Sequence, residues 1–192
     1  MLKKIVLFIL IFNCFTIYSQ NVDGYVVTNE NDTIQCKILI NKNRSNVHHQ
    51  LDFAHLRRKV TVLNSNNEKK TYRPFELISI NFKKNDEDFK FISVQDDDYK
   101  RFFREINNGK ISHLVIYEES LSQYSHVDMG FNYLYKNDIL TDMYIGNVRE
   151  VVGNLIKDYP ALYKDWKDKK YKTDQYLEVI KLYNEHYKNK KD

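Results

Sequence analysis

The stretch GYVVTNENDTIQCKILI, residues 24–40, decides the fold of this chain. Its two apolar runs lie on either side of residues 29–32, Asn-Glu-Asn-Asp, a composition that is typical of turns. Two strand-like runs joined by such a short polar cluster predict a β-hairpin. Because strands joined by short turns pair antiparallel, the stretch predicts a fold built on an antiparallel sheet.

The same arrangement recurs along the chain as far as about residue 145. Polar clusters at residues 64–67, 83–88, 107–109 and 136–138 each separate two strand-like runs. The cluster at 107–109 contains Asn-Gly, a strong hairpin signal because both residues tolerate a positive φ. The pattern therefore predicts an antiparallel β meander or curled sheet over about residues 24–145.

A helical period replaces the strand period after Gly146. Apolar residues recur at steps of three and four from Val148 to Ile156, which predicts an amphipathic helix with Asn147 at its start. Pro160 suits the first turn of a second, short helix, and a third helix is predicted from about residue 173. Their apolar faces must be buried on one another or on the sheet.

We therefore expect the α+β class, with an antiparallel sheet followed by a three-helix C-terminal segment. The length predicts one domain over residues 20–192, made of a β-rich part (20–145) and a helical part (146–192).

The first 19 residues are predicted to be a secretory signal peptide. Lys3 and Lys4 precede an apolar run that ends near Tyr18 and falls short of the roughly 18 residues that a membrane-spanning helix needs. Cleavage after Ser19 would make Gln20 the first residue of the mature chain. No later apolar run approaches spanning length, so we expect no membrane-spanning segment in the mature chain.

The charge balance of the mature chain argues against nucleic acid as a partner. Removing Lys3 and Lys4 from the 30 basic residues leaves 28 against 26 acidic residues, a net charge of +2. Charges of both signs alternate along the sequence, so no basic footprint for nucleic acid is visible.

Cys36 is the one cysteine left once Cys14 departs with the signal peptide, so an intrachain disulfide is excluded for that mature chain. On a strand it would share a face with Ile34, Ile38 and Ile40, because alternate side chains point the same way. We expect that face to be buried.

The stretch HHQLDFAH, residues 48–55, is the leading candidate metal site in the sequence. On a helix, His48, Asp52 and His55 would share a face and form a ligand set suited to zinc or iron. On a strand, which the neighbouring run KVTVL favours, their side chains would scatter over both faces. No motif nominates a nucleophile or a phosphate-binding loop, so no catalytic residue and no cofactor is assigned.

Aromatic residues are unusually frequent, with 15 Tyr and 11 Phe beside one Trp. Most of these rings should be buried, since tyrosine packs its ring while its hydroxyl stays wet. Many rings fall near the short second helix, which makes this group a candidate partner surface. The group consists of Tyr159, Tyr163, Trp166 and Tyr171.

Four segments resemble, in the same order, a group of uncharacterised exported proteins of Bacteroidetes-type bacteria. They are GYVVTNENDTIQCKI (24–38), TYRPFELISI (71–80), NNGKISHLVIYEE (107–119) and IKDYPALYKDW (156–166). The chain departs from the group at Cys36, where such sequences tend to have Gly. The resemblance implies a bacterial envelope location and supplies no catalytic residue. It also marks Asp32-Thr33-Ile34 as a candidate O-glycosylation acceptor, with a simple turn into a strand as the alternative.

Together these features predict an exported cell-envelope protein, in the periplasm or at the cell surface of a Gram-negative bacterium. Its predicted role is non-enzymatic binding of an envelope protein or a glycan. The alternative is a metal-binding protein or metal-dependent hydrolase that uses His48, Asp52 and His55.

Overall fold

One extended antiparallel sheet carries most of the fold in the computed structural model, which describes residues 19–41, 53–119, 128–144 and 146–189. Within these residues the sheet has ten strands in the order β10-β9-β8-β7-β6-β5-β1-β2-β3-β4, and it does not close. The strands are β1 Ser19–Thr28, β2 Thr33–Asn41, β3 Val60–Leu63, β4 Lys69–Tyr72, β5 Leu77–Lys84, β6 Glu87–Asp96, β7 Tyr99–Asn107, β8 Ser112–Glu119, β9 Asp128–Lys136 and β10 Ile139–Asp142. The predicted antiparallel sheet is confirmed.

Three helices follow the sheet, as predicted, and complete an α+β fold. They are α1 Val148–Ile156, α2 Pro160–Lys167 and α3 Tyr176–Lys188. Pro160 opens α2, and a 3₁₀ turn, Thr173–Gln175, leads into α3. Asn147 stands at the start of α1, but its side-chain oxygen accepts the Tyr144 N–H at 2.9 Å instead of capping the helix. None of the helices in the described part of the chain is long and apolar enough to cross a membrane.

The tightest hairpin turns lie where two residues with positive φ are available. Asn85 and Asp86 join β5 to β6 with φ of 49° and 62°, and Asn137 and Asp138 join β9 to β10 with 50° and 63°. Two consecutive positive φ values are the mark of a type I′ turn, whose twist matches that of the flanking strands.

The predicted Asn-Gly turn at residues 107–109 joins β7 to β8, but Gly109 has no positive φ there. A Cβ atom on Gly109 would lie 2.4 Å from the side-chain Cγ of Asn184 in α3. The Asn184 amide accepts the Ile111 N–H at 2.9 Å and donates to the Ile111 carbonyl at 2.8 Å. The predicted hairpin is confirmed, since β7 and β8 pair antiparallel, but its loop packs against α3 without a positive φ at Gly109.

The sheet buries residues on both faces, in two separate cores. Adjacent residues of β7 point to opposite faces of the sheet. Phe102 therefore lies in one core, which is formed by residues of β1–β7, and Phe103 lies in the other core, together with residues of β8. Residues 111–116 are consequently buried without interruption. This explains the unbroken apolar run Leu114–Ile116 in β8, since a strand covered on both faces loses the alternation of polar and apolar residues.

The larger of these cores depends on the close approach of β1 and β5. Gly24 of β1 faces β5, and a Cβ atom there would lie 2.3 Å from the Asn81 carbonyl oxygen. Cys36 packs half-buried against the same core, on the face that also holds Ile34, Ile38 and Ile40, as predicted. Burial raises the pKa of its thiol.

A third core joins the helices to the sheet. It contains Trp166 and Tyr183 from the helices, with Ile111 and Leu134 from the sheet side. Lys136 of β9 adds a polar link, since its ammonium group donates to the Leu155 carbonyl at 2.5 Å and lies 3.0 Å from a carboxylate oxygen of Asp158. The helical part is thus attached to the sheet by apolar packing and by one well-connected lysine.

Candidate binding site

Two members of the predicted metal set, His48 and Asp52, lie outside the described residues. His55 is described and begins a 3₁₀ turn, His55–Arg57, half-buried. Among the described residues no three His, Cys, Asp or Glu side chains come together as a metal site would require. Phe53 and Ala54, which were expected in a strand, lead into that turn. The metal hypothesis itself stays a prediction.

The predicted aromatic surface lies on the helices, largely packed into their core. Trp166 is only 1% exposed, and Tyr159, Tyr163 and Tyr171 pack half-buried against the same cluster. Tyr159 stacks on His186 with the ring centroids 3.8 Å apart. Any partner surface here would therefore consist of the tyrosine edges, and that role stays a prediction. Thr33, the predicted glycosylation acceptor, is exposed at the start of β2.

A different surface gathers exposed cations and exposed rings. It is a groove of about 700 Å³ between the turn that precedes β5 and the tip of the β6–β7 hairpin. We call it the basic groove, and its lining residues are Arg58, Arg73, Pro74, Phe75, Gln95, Asp98, Tyr99, Lys100 and Arg101. A neighbouring hollow of about 680 Å³ shares Arg58 and Arg73 with it and adds Ala54, His55, Arg57, Lys59 and Glu118.

One wall of the basic groove is the 3₁₀ turn Pro74–Glu76, which is held by hydrogen bonds from two other hairpins. The Ser93 hydroxyl donates to the Pro74 carbonyl at 2.6 Å, and the Asn29 amide donates to the Phe75 carbonyl at 2.6 Å. The Glu76 carboxylate accepts the Arg73 N–H at 2.7 Å. Because its backbone is fixed in this way, the turn presents Arg73 and Phe75 in a defined position.

The opposite wall is the tip of the β6–β7 hairpin, which carries Tyr99 and Lys100. An ion pair of 2.8 Å between Asp96 and Arg101 joins the two strands at the tip. Asp97 takes a positive φ of 48°, and its carbonyl accepts a hydrogen bond from the Gln95 amide at 2.6 Å. The acidic run Asp96-Asp97-Asp98 therefore forms the end of β6 and the turn of the hairpin.

The floor near Arg58 is anchored through the 3₁₀ turn that precedes it. Leu56 in that turn is fully buried, and Arg57 forms an ion pair with Glu118 of β8. The Arg57 Nε atom is buried and has no hydrogen-bond partner among the described residues. Since Leu56 and Arg57 fix the turn on both sides, Arg58 and Lys59 project from a supported position.

The electrostatic character of this surface follows from which cations are already paired. Arg57 is paired with Glu118 and Arg101 with Asp96. Four further cations, Arg58, Lys59, Arg73 and Lys100, are exposed and form no ion pair with any described residue. Asp98 and Glu118 are the acidic residues that line the two hollows. The surface therefore carries a local positive excess on a chain of nearly balanced charge.

The two rings of the basic groove are unusually accessible. Tyr99 is 68% exposed and Phe75 is 57% exposed. An isolated exposed ring needs no explanation, but two such rings that line one cationic groove form a contact surface for a partner.

Sequence reasoning did not single out this surface. Its cations and rings come from three separate stretches, 57–59, 73–75 and 98–101, and no stretch alone forms a recognisable binding motif. The available signal was the repeated neighbourhood of a ring and a cation, in Arg73-Pro74-Phe75 and in Tyr99-Lys100-Arg101.

No family model matches the chain, and neither the curated proteins nor the solved structures give a significant match. The site must therefore be interpreted from its own geometry.

Proposed function

We propose that this is an exported cell-envelope protein that binds a protein or glycan partner without enzymatic chemistry, and that the basic groove is its binding surface. The observation that carries the proposal is the combination of unpaired cations and exposed rings on walls whose backbone is held by cross-hairpin hydrogen bonds. A site that is rigid before binding loses less conformational entropy when a ligand arrives.

The side chains of the groove are suited to binding and poorly suited to catalysis. Guanidinium and ammonium groups donate several hydrogen bonds and have no acceptor, so Arg58, Arg73 and Lys100 recognise anions readily. Of the two lining carboxylates, Glu118 is paired with Arg57 and lines the neighbouring hollow, whereas Asp98 lines the basic groove at the hairpin tip. A pair of carboxylates placed for general acid and base catalysis is not formed by these two.

Export is supported by the leader-like composition of residues 1–19 and by the resemblance to exported Bacteroidetes-type proteins. Cleavage after Ser19 is compatible with the fold, because Gln20 and the residues after it retain their pairing with β2, beginning with Ile40.

Expression of the full 192-residue chain in a Bacteroidetes-type host tests the location. We expect the protein in the envelope fractions with a mature N-terminus at Gln20, measured by mass spectrometry. A matched variant with Leu7→Arg and Leu10→Arg in the apolar run should stay in the cytoplasm at full length. Recovery of the unaltered, uncleaved chain from the cytoplasm would contradict the proposed export.

Sedimentation with isolated envelopes tests the binding. We expect the purified protein to sediment with them at low salt, and Arg58→Ala/Arg73→Ala to remain in the supernatant. Equal sedimentation of both proteins would contradict the assignment of the basic groove as the binding surface.

A further inference from the structure

We infer that the ligand of the basic groove is an acidic polysaccharide, a chain of sugars that carries carboxylate or sulfate groups. This inference rests on the proposed function and names the chemical class of its partner. It draws on three properties of the groove: its cations, its rings and its open shape.

The cations fit the anionic groups of such a polymer. Arg58 and Arg73 lie where the basic groove and the neighbouring hollow meet, and both are exposed. A planar guanidinium group can donate two parallel hydrogen bonds to a carboxylate or a sulfate, which gives geometry as well as charge. Lys100 on the hairpin tip adds a point charge on the other wall.

The rings fit the sugar units between those anionic groups. The face of an aromatic ring is negative, and the C–H bonds on one side of a pyranose are weakly positive and apolar. Phe75 and Tyr99 offer two such faces, each more than half exposed. A peptide made only of acidic residues, such as polyglutamate, would pair with the cations but has no apolar side chain to pack on these rings, whereas an acidic sugar provides both contacts.

The shape fits a polymer better than a small anion. The basic groove and the neighbouring hollow are each close to 700 Å³ and are adjacent, since Arg58 and Arg73 line both. A polymer that crosses these two arginines would occupy both. A deep enclosed pocket, which buries most of a small ligand, has the opposite character. Single-stranded nucleic acid could also use rings and cations together, and it is therefore an alternative that the test must separate.

The test measures binding of the purified protein by isothermal titration calorimetry at low salt. The probes are polygalacturonate for carboxylate groups, dextran sulfate for sulfate groups, neutral dextran, poly-L-glutamate and single-stranded DNA. We expect at least one acidic polysaccharide to bind about tenfold more tightly than the last three probes. Which of the two acidic polymers binds more tightly identifies the anionic group.

The variants separate recognition from simple charge attraction. Arg58→Ala/Arg73→Ala and Phe75→Ala/Tyr99→Ala should each lower the affinity by about tenfold or more. Lys157→Ala/Lys164→Ala removes the same charge as the first variant from exposed positions in the helical part and should change the affinity by less than about twofold. Should the arginine variant fail to fold, Lys59→Glu/Lys100→Glu takes its place; should the ring variant fail to fold, Tyr99→Ala alone takes its place.

Several outcomes would overturn the inference. They are no binding of either acidic polysaccharide, equal or tighter binding of polyglutamate or DNA, equal binding of neutral dextran, and equal losses in the groove and helix variants. The assay uses purified protein, so it is independent of location: a protein that binds the polymer but stays in the cytoplasm refutes export alone.

Discussion

The helical part and the basic groove each contain an arginine and an aromatic residue, and they use these residue types in opposite ways. In the helical part, the Arg149 guanidinium lies 4.0 Å from the Trp166 ring centroid and donates to the carbonyls of Trp166 and Tyr171 at 2.6 and 3.0 Å. In the basic groove, Arg73 and Phe75 are exposed, and Arg73 forms no ion pair with the described residues. The same residue types hold the fold together in one place and face solvent in the other.

The difference lies in whether the cation's hydrogen bonds are used inside the protein. Arg149 has little capacity left for a ligand, since it bridges α1 to the end of α2 and to the loop after it. Arg73 retains its capacity, because the bonds that hold its turn come from Ser93, Asn29 and Glu76. The presence of an arginine and an aromatic residue therefore does not by itself indicate function, because the role of each depends on its contacts within the protein.

The largest difference in stability should be found between two variants that each remove an aromatic side chain, one in the helical part and one in the basic groove. Trp166→Ala removes a side chain that is only 1% exposed, together with the hydrogen bond from its indole N–H to the Arg149 carbonyl at 2.8 Å. We expect it to lower the free energy of unfolding by about 4 kcal/mol, as measured by urea denaturation. Phe75→Ala, the matched exposed ring, should change it by less than about 0.5 kcal/mol. Similar losses in both variants would mean that the groove ring is structural.

The next contrast concerns the arginines themselves. Arg149→Ala removes the guanidinium that donates to the Trp166 and Tyr171 carbonyls and packs on the indole, although the Lys169 N–H still donates to the Trp166 carbonyl at 3.2 Å. We expect a loss of about 2–3 kcal/mol in the free energy of unfolding, since the variant loses hydrogen bonds from a charged group together with its packing. Arg73→Ala should cost less than about 0.5 kcal/mol in the same urea titration. The comparison fails if Arg73→Ala destabilises as strongly as Arg149→Ala.

The hairpins and helices could be predicted because their causes are local. Turn residues such as those at 29–32 and 136–138 set short connections, and the change of apolar period after Gly146 marks the helices. The loop at 107–109 could not be predicted in the same way. Its shape is set by Asn184, more than seventy residues later in the chain, through two hydrogen bonds to Ile111.

The basic groove depends on strand order, which the sequence pattern does not reveal. β1 pairs with β5, so the β1–β2 turn lies beside the turn that precedes β5, and Asn29 can hold Phe75. Exposed cations follow no apolar period, so nothing in the pattern indicated that residues 58, 73 and 100 would meet. The predicted metal residues His48 and Asp52 lie outside the described part of the chain, and that hypothesis remains separate from the groove.

A smaller effect on stability should come from Asp158 in the helical part, and it should depend on pH. Burial by itself would raise the pKa of Asp158, but hydrogen bonds from Tyr183 and Lys136 outweigh it and lower the pKa. A carboxyl group with a lowered pKa in the folded state stabilises the fold above its ordinary pKa of about 3.9, and this stabilisation is lost as the pH falls through the lowered value.

Asp158→Asn removes that contribution. Because the Asp158 side chain is 43% exposed, solvent screens the interaction, and we expect the variant to be less stable at pH 7 by at most about 1 kcal/mol. Urea titrations at pH 7, 5 and 3 should show the difference shrinking at the lowest pH. A difference that is equal at pH 7 and pH 3 would mean that charge on Asp158 contributes nothing.

The smallest effect should have the opposite sign and lies in the basic groove. Arg58 and Lys100 line the same groove as Arg73 and Arg101, so their charges repel one another in the absence of a ligand. Arg58→Ala/Lys100→Ala should therefore raise the free energy of unfolding by a few tenths of a kcal/mol at about 0.01 M salt, and the gain should vanish near 1 M. Lys157→Ala/Lys164→Ala, which removes the same charge next to Asp158 and Asp165, should show no such gain. A salt-sensitive increase in the free energy of unfolding that is confined to the groove variant would mean that these cations destabilise the fold slightly. This pattern is expected of side chains whose role is to bind an anion. A loss in the groove variant would instead assign them a structural role like that of Arg149.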